Sequence, residues 1–258
     1  MVDLPLHPGE RIDDLLTHNL KIIQSADVFS FSMDAVLLAR FCSAPGRGRI
    51  LDLCTGNGVI PLLLTTRTRG EITGVEIQER LADMAVRSVT LNKLEDQIRI
   101  LCGDLKDSHR LLEDGNYDLV TVNPPYLPVI AGEQNVNIHV AAARHEIHCN
   151  LEDVLMACSR MAKSGGKVAM VHRPSRLVDI LGLMRQYRME PKRIRFVHPR
   201  RGAEANMVLI EAIRDGKPEV RLLPPLFVYR DKDEYDDELM QIYYGQRSAM
   251  IDEGDVLG

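Results

Sequence analysis

The sequence predicts an α/β fold: a mostly parallel sheet of seven strands, helices on both faces, and an antiparallel strand pair at the C-terminal edge. Three observations predict it. Short apolar runs alternate with helical-period segments between residues 49 and 188. A glycine-containing turn, Cys54-Thr55-Gly56-Asn57-Gly58, joins the first of these strands to the first helix. Beyond Pro191 two strand-like runs follow one another with no helix between them, which suits an antiparallel pair.

In chain order, residues 1–19 are a polar lead-in, with 10–16 able to form a short helix. Residues 20–31 alternate loosely and predict two short strands or a hairpin. Ser32 is an N-cap for an apolar helix over 33–41, and Asp34 favours its first turn. Pro45-Gly46-Arg47-Gly48 then breaks the chain, so 1–48 is expected as an extension packed on a domain over 49–230. Within that domain strands are predicted at 49–54, 71–77, 98–103, 117–122 and 166–172, and helices at 59–67, 78–92, 151–163 and 175–188. The closing pair is 193–198 with 207–213. The Pro-interrupted run 222–229 is expected to pack along the domain and stay outside the sheet. Residues 231–258 form an acidic tail with one helical candidate at 236–244 and a frayed or disordered remainder.

The formal net charge of −5 argues against a nucleic-acid partner only until its placement is considered. Nine acids against Lys232 and Arg247 make 231–258 −7, which leaves residues 1–230 at +2. The apolar fraction of 45% suits a globular core, and no window approaches the roughly 18 apolar residues of a membrane span. Met1-Val2-Asp3-Leu4 does not open a signal peptide, and five scattered cysteines predict reduced thiols in a cytoplasmic protein with no metal site.

The candidate chemistry sits at strand ends. The run Thr121-Val122-Asn123-Pro124-Pro125-Tyr126 stops at two prolines. Asn123 offers a side-chain carbonyl, Pro124 can present only a carbonyl acceptor, and Tyr126 supplies a flat face. Two acceptors beside a stacking platform suit a planar group carrying an NH2: adenine, cytosine or an amide. The same residues also suit a plain strand-ending turn. In the glycine turn a dinucleotide fingerprint wants a third glycine where Pro61 stands, and the Asp52 carboxylate would repel a pyrophosphate. Asp52 suits a cationic or amine-bearing ligand. Glu76 ends the next strand, where an acid accepts ribose hydroxyls, and Asp104 ends the third, within reach of an adenine amine. Ile77 and Leu105 adjoin these acids. With Cys54, Thr55, Gly56, Asn57, Gly58 and Asn123 they complete the candidate binding set.

Three strand-end carboxylates, a Gly-x-Gly turn and Asn123 ending the fourth strand resemble the S-adenosylmethionine site of class I methyltransferases, whose Rossmann-like seven-stranded sheet has this strand order. The resemblance implies that Asn123, Pro124, Pro125 and Tyr126 hold an amino group of adenine, cytosine or a glutamine amide for methylation. More of the chain, about residues 4–230, resembles the bacterial tRNA (adenine-N6) methyltransferases that modify adenine next to the anticodon of valine tRNA. The matching stretches are Glu10-Arg11-Ile12-Asp13-Asp14-Leu15, Phe29-Ser30-Phe31-Ser32-Met33-Asp34-Ala35-Val36-Leu37-Leu38-Ala39, Asn123-Pro124-Pro125-Tyr126, Ala143-Arg144-His145-Glu146 and Arg195-Phe196-Val197-His198-Pro199. Cys54 departs from the family's commoner glycine.

The resemblance implies a tRNA partner, with Arg144 and His145 (and His148) of the long polar stretch 127–150 against RNA, and Phe31 and Asp34 closing over the cofactor. Arg185, Arg188, Lys192, Arg193, Arg195, Arg200 and Arg201 form a basic run that is either a solvated face or a phosphate stripe. Two other readings compete: a release-factor glutamine methyltransferase, which carries a longer helical N-terminal domain, and a non-catalytic RNA-binding module with the same fold. A DNA adenine methyltransferase lacks support, since no target-recognition domain is visible. Oligomeric state is open, a monomer included.

Overall fold

The computed structural model describes residues 5–26, 28, 33–126, 149–231 and 234–244. The expected core is present, with strands β3 (Arg49–Leu53), β4 (Glu71–Glu76), β5 (Ile98–Cys102), β6 (Tyr117–Val122) and β7 (Ala162–His172). Helices α1 (Met33–Phe41), α2 (Val59–Leu64), α3 (Glu79–Leu91), α4 (Ser108–Leu111), α5 (Leu151–Met161) and α6 (Leu177–Gln186) surround it. β3, β4, β5, β6 and β7 pair in parallel. β8 (Met189–Arg200) and β9 (Met207–Arg214) form the antiparallel pair, with β9 inserted between β7 and β8.

Side-chain alternation explains why both faces of this sheet are covered. In β3, Ile50 packs into one cluster with α1 and α2, while Leu51 and Leu53 join α5 and α6 in the other. β6 and β7 repeat the pattern: Leu119 and Val171 face the first layer, Val120 and Met170 the second.

Three expectations need correction. First, the described sheet has ten strands, because β10 (Arg221–Leu222), β11 (Leu226–Asp231) and β12 (Glu234–Tyr235) extend its edge in the order β12-β11-β8-β9-β7-β6-β3-β4-β5, with β10 also on β8. The run 222–229 thus enters the sheet, and its two prolines fall between β10 and β11, where no ladder donor is needed. Second, residues 10–16 are not helical. β1 (Glu10–Asp14) pairs antiparallel with β2 (Lys21–Ser25), and Leu16, His18 and Asn19 turn the chain with positive φ between 51° and 58°. Third, the stretch before the helix of the acidic segment is not frayed: Asp231 and Glu234–Tyr235 sit in β11 and β12, while the helix expected at 236–244 is present. Helix α7 (Asp237–Tyr244) buries Leu239 beside α1, and Thr17 donates to the Tyr243 carbonyl at 2.7 Å. The rest of that segment, 245–258, lies outside the described residues, as does the Ser32 cap.

The hairpin is bolted to the outer helix of the domain. Arg87 of α3 forks onto both Glu10 carboxylate oxygens at 2.7 Å and also binds Asp83. Ile23 donates its N–H to Ser88 at 3.0 Å. This anchoring places the hairpin beside the glycine turn, where Asn57 donates to the Ile23 carbonyl at 3.0 Å.

Candidate active site

The turn after β3 bends through alternating left-handed residues: Cys54 at φ 58°, Gly56 at 58° and Gly58 at 88°. Cys54 therefore holds the conformation that glycine usually supplies, at a cost of about 1 kcal/mol. A Cβ added at Gly56 would meet nothing within 4 Å, so the backbone there borders open space. Gly58 begins α2, with Ala85 3.2 Å from where its Cβ would lie.

A cavity opens beyond the carboxyl ends of β3, β4, β5 and β6. Its walls include Cys54, Thr55, Gly56, Asn57, Glu76, Ile77, Asp104, Leu105, Asn123 and Pro125. Ala35, Val59, Ile60, Val75, Leu81 and Cys149 add to its apolar side. Of the residues singled out for the cofactor, Asp52 and Gly58 do not line it.

Asp52 lies beneath the floor, fully buried. Its carboxylate accepts from Thr55 and Thr121 hydroxyls, each at 2.6 Å. Burial pushes its pKa up to about 7, the two hydroxyls offsetting part of the rise. The group supports the turn from below. Glu76 stands in the wall, accepting from Gly56 N–H at 2.8 Å and Gln78 N–H at 3.0 Å, with a pKa raised by burial. Two fixed backbone donors leave lone pairs free to accept further hydroxyls. Asp104 caps the 3₁₀ turn Leu105–Asp107, accepting from Lys106 N–H at 2.9 Å.

At the end of β6, Asn123 and Pro125 reach the cavity wall while Pro124 is buried. Tyr126 donates to Asp34 of α1 at 2.6 Å, and its hydroxyl is also in contact with the Asn123 side-chain oxygen Oδ1. Its ring packs against His172, centroids 5.0 Å apart, with the Arg173 guanidinium 5.7 Å from its centre. His172 ends β7 and is buried; Nδ1 accepts from Arg173 N–H at 2.8 Å, and burial pulls its pKa down to about 4. The strand-end rule that selected Asp52, Glu76, Asp104 and Asn123 also points to His172, whose position closes the fifth predicted strand. The contact from Asp34 to Tyr126 had no local signal, because 92 residues separate the two.

The basic run divides along β8. Extended chain advances about 3.3 Å per residue, so the ends of this strand are more than 30 Å apart. Arg185 pairs with Glu190 and Arg188 with Asp215 at the far end from the cavity. Arg193 binds Glu211, the Phe41 carbonyl and Ser43, and Arg195 binds Glu238 and the Pro224 carbonyl. Both guanidiniums are committed within the protein. Arg200 and Arg201 are exposed at the carboxyl end of β8, the edge onto which the cavity opens. Arg144, His145, His148 and Phe31 lie outside the described residues.

A Rossmann-like sheet with β9 antiparallel between β7 and β8, and the cavity at the carboxyl edge of its parallel strands, is the arrangement of the S-adenosylmethionine-dependent class I methyltransferases. The chain belongs to the methyltransferase small domain family, whose model matches residues 19–174. Among its relatives is the tRNA1(Val) (adenine(37)-N6)-methyltransferase of Aeromonas salmonicida, 31% identical over 69% of this chain and 73% of that protein. The fold is that of an Agrobacterium tumefaciens protein described as a predicted O-methyltransferase (TM-score 0.66, 24% identity, 83% of this chain and 96% of that chain). Geranyl diphosphate C-methyltransferase of Streptomyces coelicolor, solved with S-adenosyl-L-homocysteine, shares it too (TM-score 0.53, 16% identity, 70% and 76%).

The cavity fits this donor. Open space over Gly56 admits a ligand against the backbone, and the Glu76 carboxylate is aimed at the same space by two N–H groups. Apolar Ile77, Leu81 and Leu105 provide sides for a flat ring.

Proposed function

We propose that this chain methylates the N6 amino group of an adenine in the anticodon loop of tRNA. The observation that carries the reading is Asn123, with Pro125, in the wall of the donor cavity just beyond the end of β6, in the run Asn123-Pro124-Pro125-Tyr126. The relative from Aeromonas salmonicida, named for adenine 37 of a valine tRNA, supports the choice of substrate.

S-adenosylmethionine supplies the methyl as an electrophile on a positively charged sulfur. Glu76 would hold the ribose hydroxyls, Asp104 the adenine amine, and Ile77 and Leu105 the ring of that donor, with Thr55, Gly56 and Asn57 along its length. The task of this chain is then alignment and exclusion of water. Asn123 and the Pro124 carbonyl accept hydrogen bonds from the substrate NH2, which frees its lone pair from conjugation with the ring. Methyl transfer would then form the N–C bond while the donor's C–S bond breaks with its electron pair going to sulfur, and the nitrogen's proton would pass to solvent as the product leaves. No general base is required first, because the methylated nitrogen is acidic. A base inside a helix cannot enter such a cavity, so the target comes from a loop or is flipped out.

Arg200 and Arg201, exposed at the carboxyl end of β8, and Arg173 beside Tyr126 are the side chains proposed to meet phosphates at this edge. Arg144 and His145 belong to the same proposal. The test is methyl transfer from labelled donor to unmodified bulk tRNA, with release factors in parallel, followed by nucleoside mass spectrometry. N6-methyladenosine that disappears with Asn123→Ala is the expected result. Label in release factor, or donor binding without transfer to any acceptor, overturns the substrate assignment.

A further inference from the structure

Tyr126 has one hydroxyl proton and two neighbours that accept. Its oxygen lies 2.6 Å from Asp34 Oδ2 and in hydrogen-bond contact with the Asn123 side-chain amide. One proton cannot serve both. The carboxylate is the stronger acceptor, so the phenol donates to Asp34. Burial and that same carboxylate hold the phenol pKa well above its ordinary value, so the proton stays in place. The structure sets Asn123 Oδ1 against Tyr126 Oη; with the only proton committed to Asp34, two oxygens would face each other, and turning the amide over lets its NH2 donate to Tyr126 Oη instead. The two ends of an amide have the same shape, and the network around them decides which is which.

This orientation has a consequence for the reaction. With Nδ2 turned to Tyr126 in this way, Asn123 Oδ1 would face away from it, and Asn123 is one of the residues in the wall of the donor cavity. An acceptor is what an incoming NH2 needs there. With the amide reversed, Asn123 would present its own NH2 to the substrate NH2, two donors face to face. Asp34 is well placed to prevent that: it sits in the first turn of α1, buried at 7% exposure, on a helix whose Asp34 to Ala39 stretch is buried throughout.

We propose that Asp34 is a positioning residue that fixes the Tyr126 proton and, through it, turns the Asn123 carbonyl toward the substrate amino group. The proposal rests on the reading of Asn123 as the acceptor of that group. It assigns Asp34 to the substrate side of the site, in place of the cofactor-closing role the family resemblance implied.

The experiment is a double-mutant cycle on the full chain, measuring kcat and KM for tRNA together with donor affinity by calorimetry. Losing one oriented hydrogen bond corresponds to a fall of about tenfold in kcat. Asp34→Ala and Tyr126→Phe should each show it, with KM for tRNA and donor affinity changed less than about twofold. The double variant should be no slower than Tyr126→Phe alone, since the carboxylate has nothing left to orient. Asp34→Asn retains an oxygen that can accept the phenol proton and should recover most of the rate. Multiplying effects in the double variant, or full activity in Asp34→Ala beside an inactive Asn123→Ala, would overturn the relay alone. Full activity in Asn123→Ala would overturn the reading of that residue and the relay with it. If alanine at buried position 34 unfolds the chain, Tyr126→Phe decides: it keeps the ring and removes only the hydroxyl, and undiminished kcat refutes the proposal.

Discussion

Asp52→Asn should make the protein more stable at pH 8 and slightly less stable in acid. The carboxyl has no exposure to water, and burial raises its pKa from 3.8 to about 7. A folded-state pKa above the unfolded one means that the native chain holds its proton longer. Stability is therefore lost as pH rises from about 4 to about 7 and is constant beyond. A tenfold difference in proton affinity between the folded and unfolded chain corresponds to about 1.36 kcal/mol, so the whole window costs about 4 kcal/mol. Between pH 5 and pH 8 the share is about 2 to 3 kcal/mol. The amide cannot ionise and escapes this cost. It loses one acceptor for the Thr55 and Thr121 hydroxyls, a penalty of about 1 kcal/mol that does not vary with pH. Thr121 already has the Leu51 carbonyl 3.4 Å away as an alternative. Urea unfolding followed by circular dichroism at both pH values, wild type beside variant, gives the difference directly. A difference that moves by less than about 0.5 kcal/mol between the two pH values would show that Asp52 is ionised and stable beneath the turn, and would refute the reasoning.

Other expectations follow from single contacts. Arg193→Ala strands the buried Glu211 carboxylate with only Ser43, and should cost about 3 kcal/mol of stability in a denaturant titration while leaving tRNA affinity of the folded protein unchanged. Gly74→Ala would place a methyl 2.8 Å from Ile100 Cδ1 and 3.0 Å from Thr55 Oγ1. It should destabilise by about 1 to 3 kcal/mol and weaken donor binding measured by calorimetry, because Thr55 is displaced at the cavity wall. Asn150→Ala removes a capping box with Asp153 at the start of α5 and should lower stability by about 1 kcal/mol, seen as a lower thermal midpoint. Arg200→Ala with Arg201→Ala should shallow the salt dependence of tRNA binding by about two phosphate contacts, with donor affinity unchanged.

The central strands were legible because local pattern and tertiary role agree there. Tyr117–Val122 is apolar, ends at two prolines, and is buried on both faces, so its limits are the same in sequence and structure. The hairpin at Glu10–Asp14 was not legible, since its alternation is weak and the left-handed turn uses Leu16, His18 and Asn19, where glycine would be the usual signal. The edge strands β10 and β11 were hidden by Pro224 and Pro225, which read as exclusion from a sheet; the ladder tolerates them only because they fall between two short pairings. In the site, strand-end polar residues could be listed in advance, but not their depth. Asp52 and Glu76 look alike in sequence, yet one lies under the floor and the other in the wall. The run of cations was legible as charge alone. Which of them are spent on Glu211 and Glu238 is fixed by strands and a helix far away in the chain.

The bond from Thr17 to Tyr243 joins residues 226 positions apart. On a ribosome adding about 5 to 20 residues each second, that partner is made roughly 10 to 45 s after Thr17 is added to the chain. Throughout that interval the surface of α1 that Leu239 later covers has no partner from α7. The first helix of the molecule is thus finished by a late one, and an assembly order runs from the N-terminal layer, through the sheet, back to where it started. Nascent chains halted before α7 should be the ones that chaperones hold, and release should coincide with its appearance.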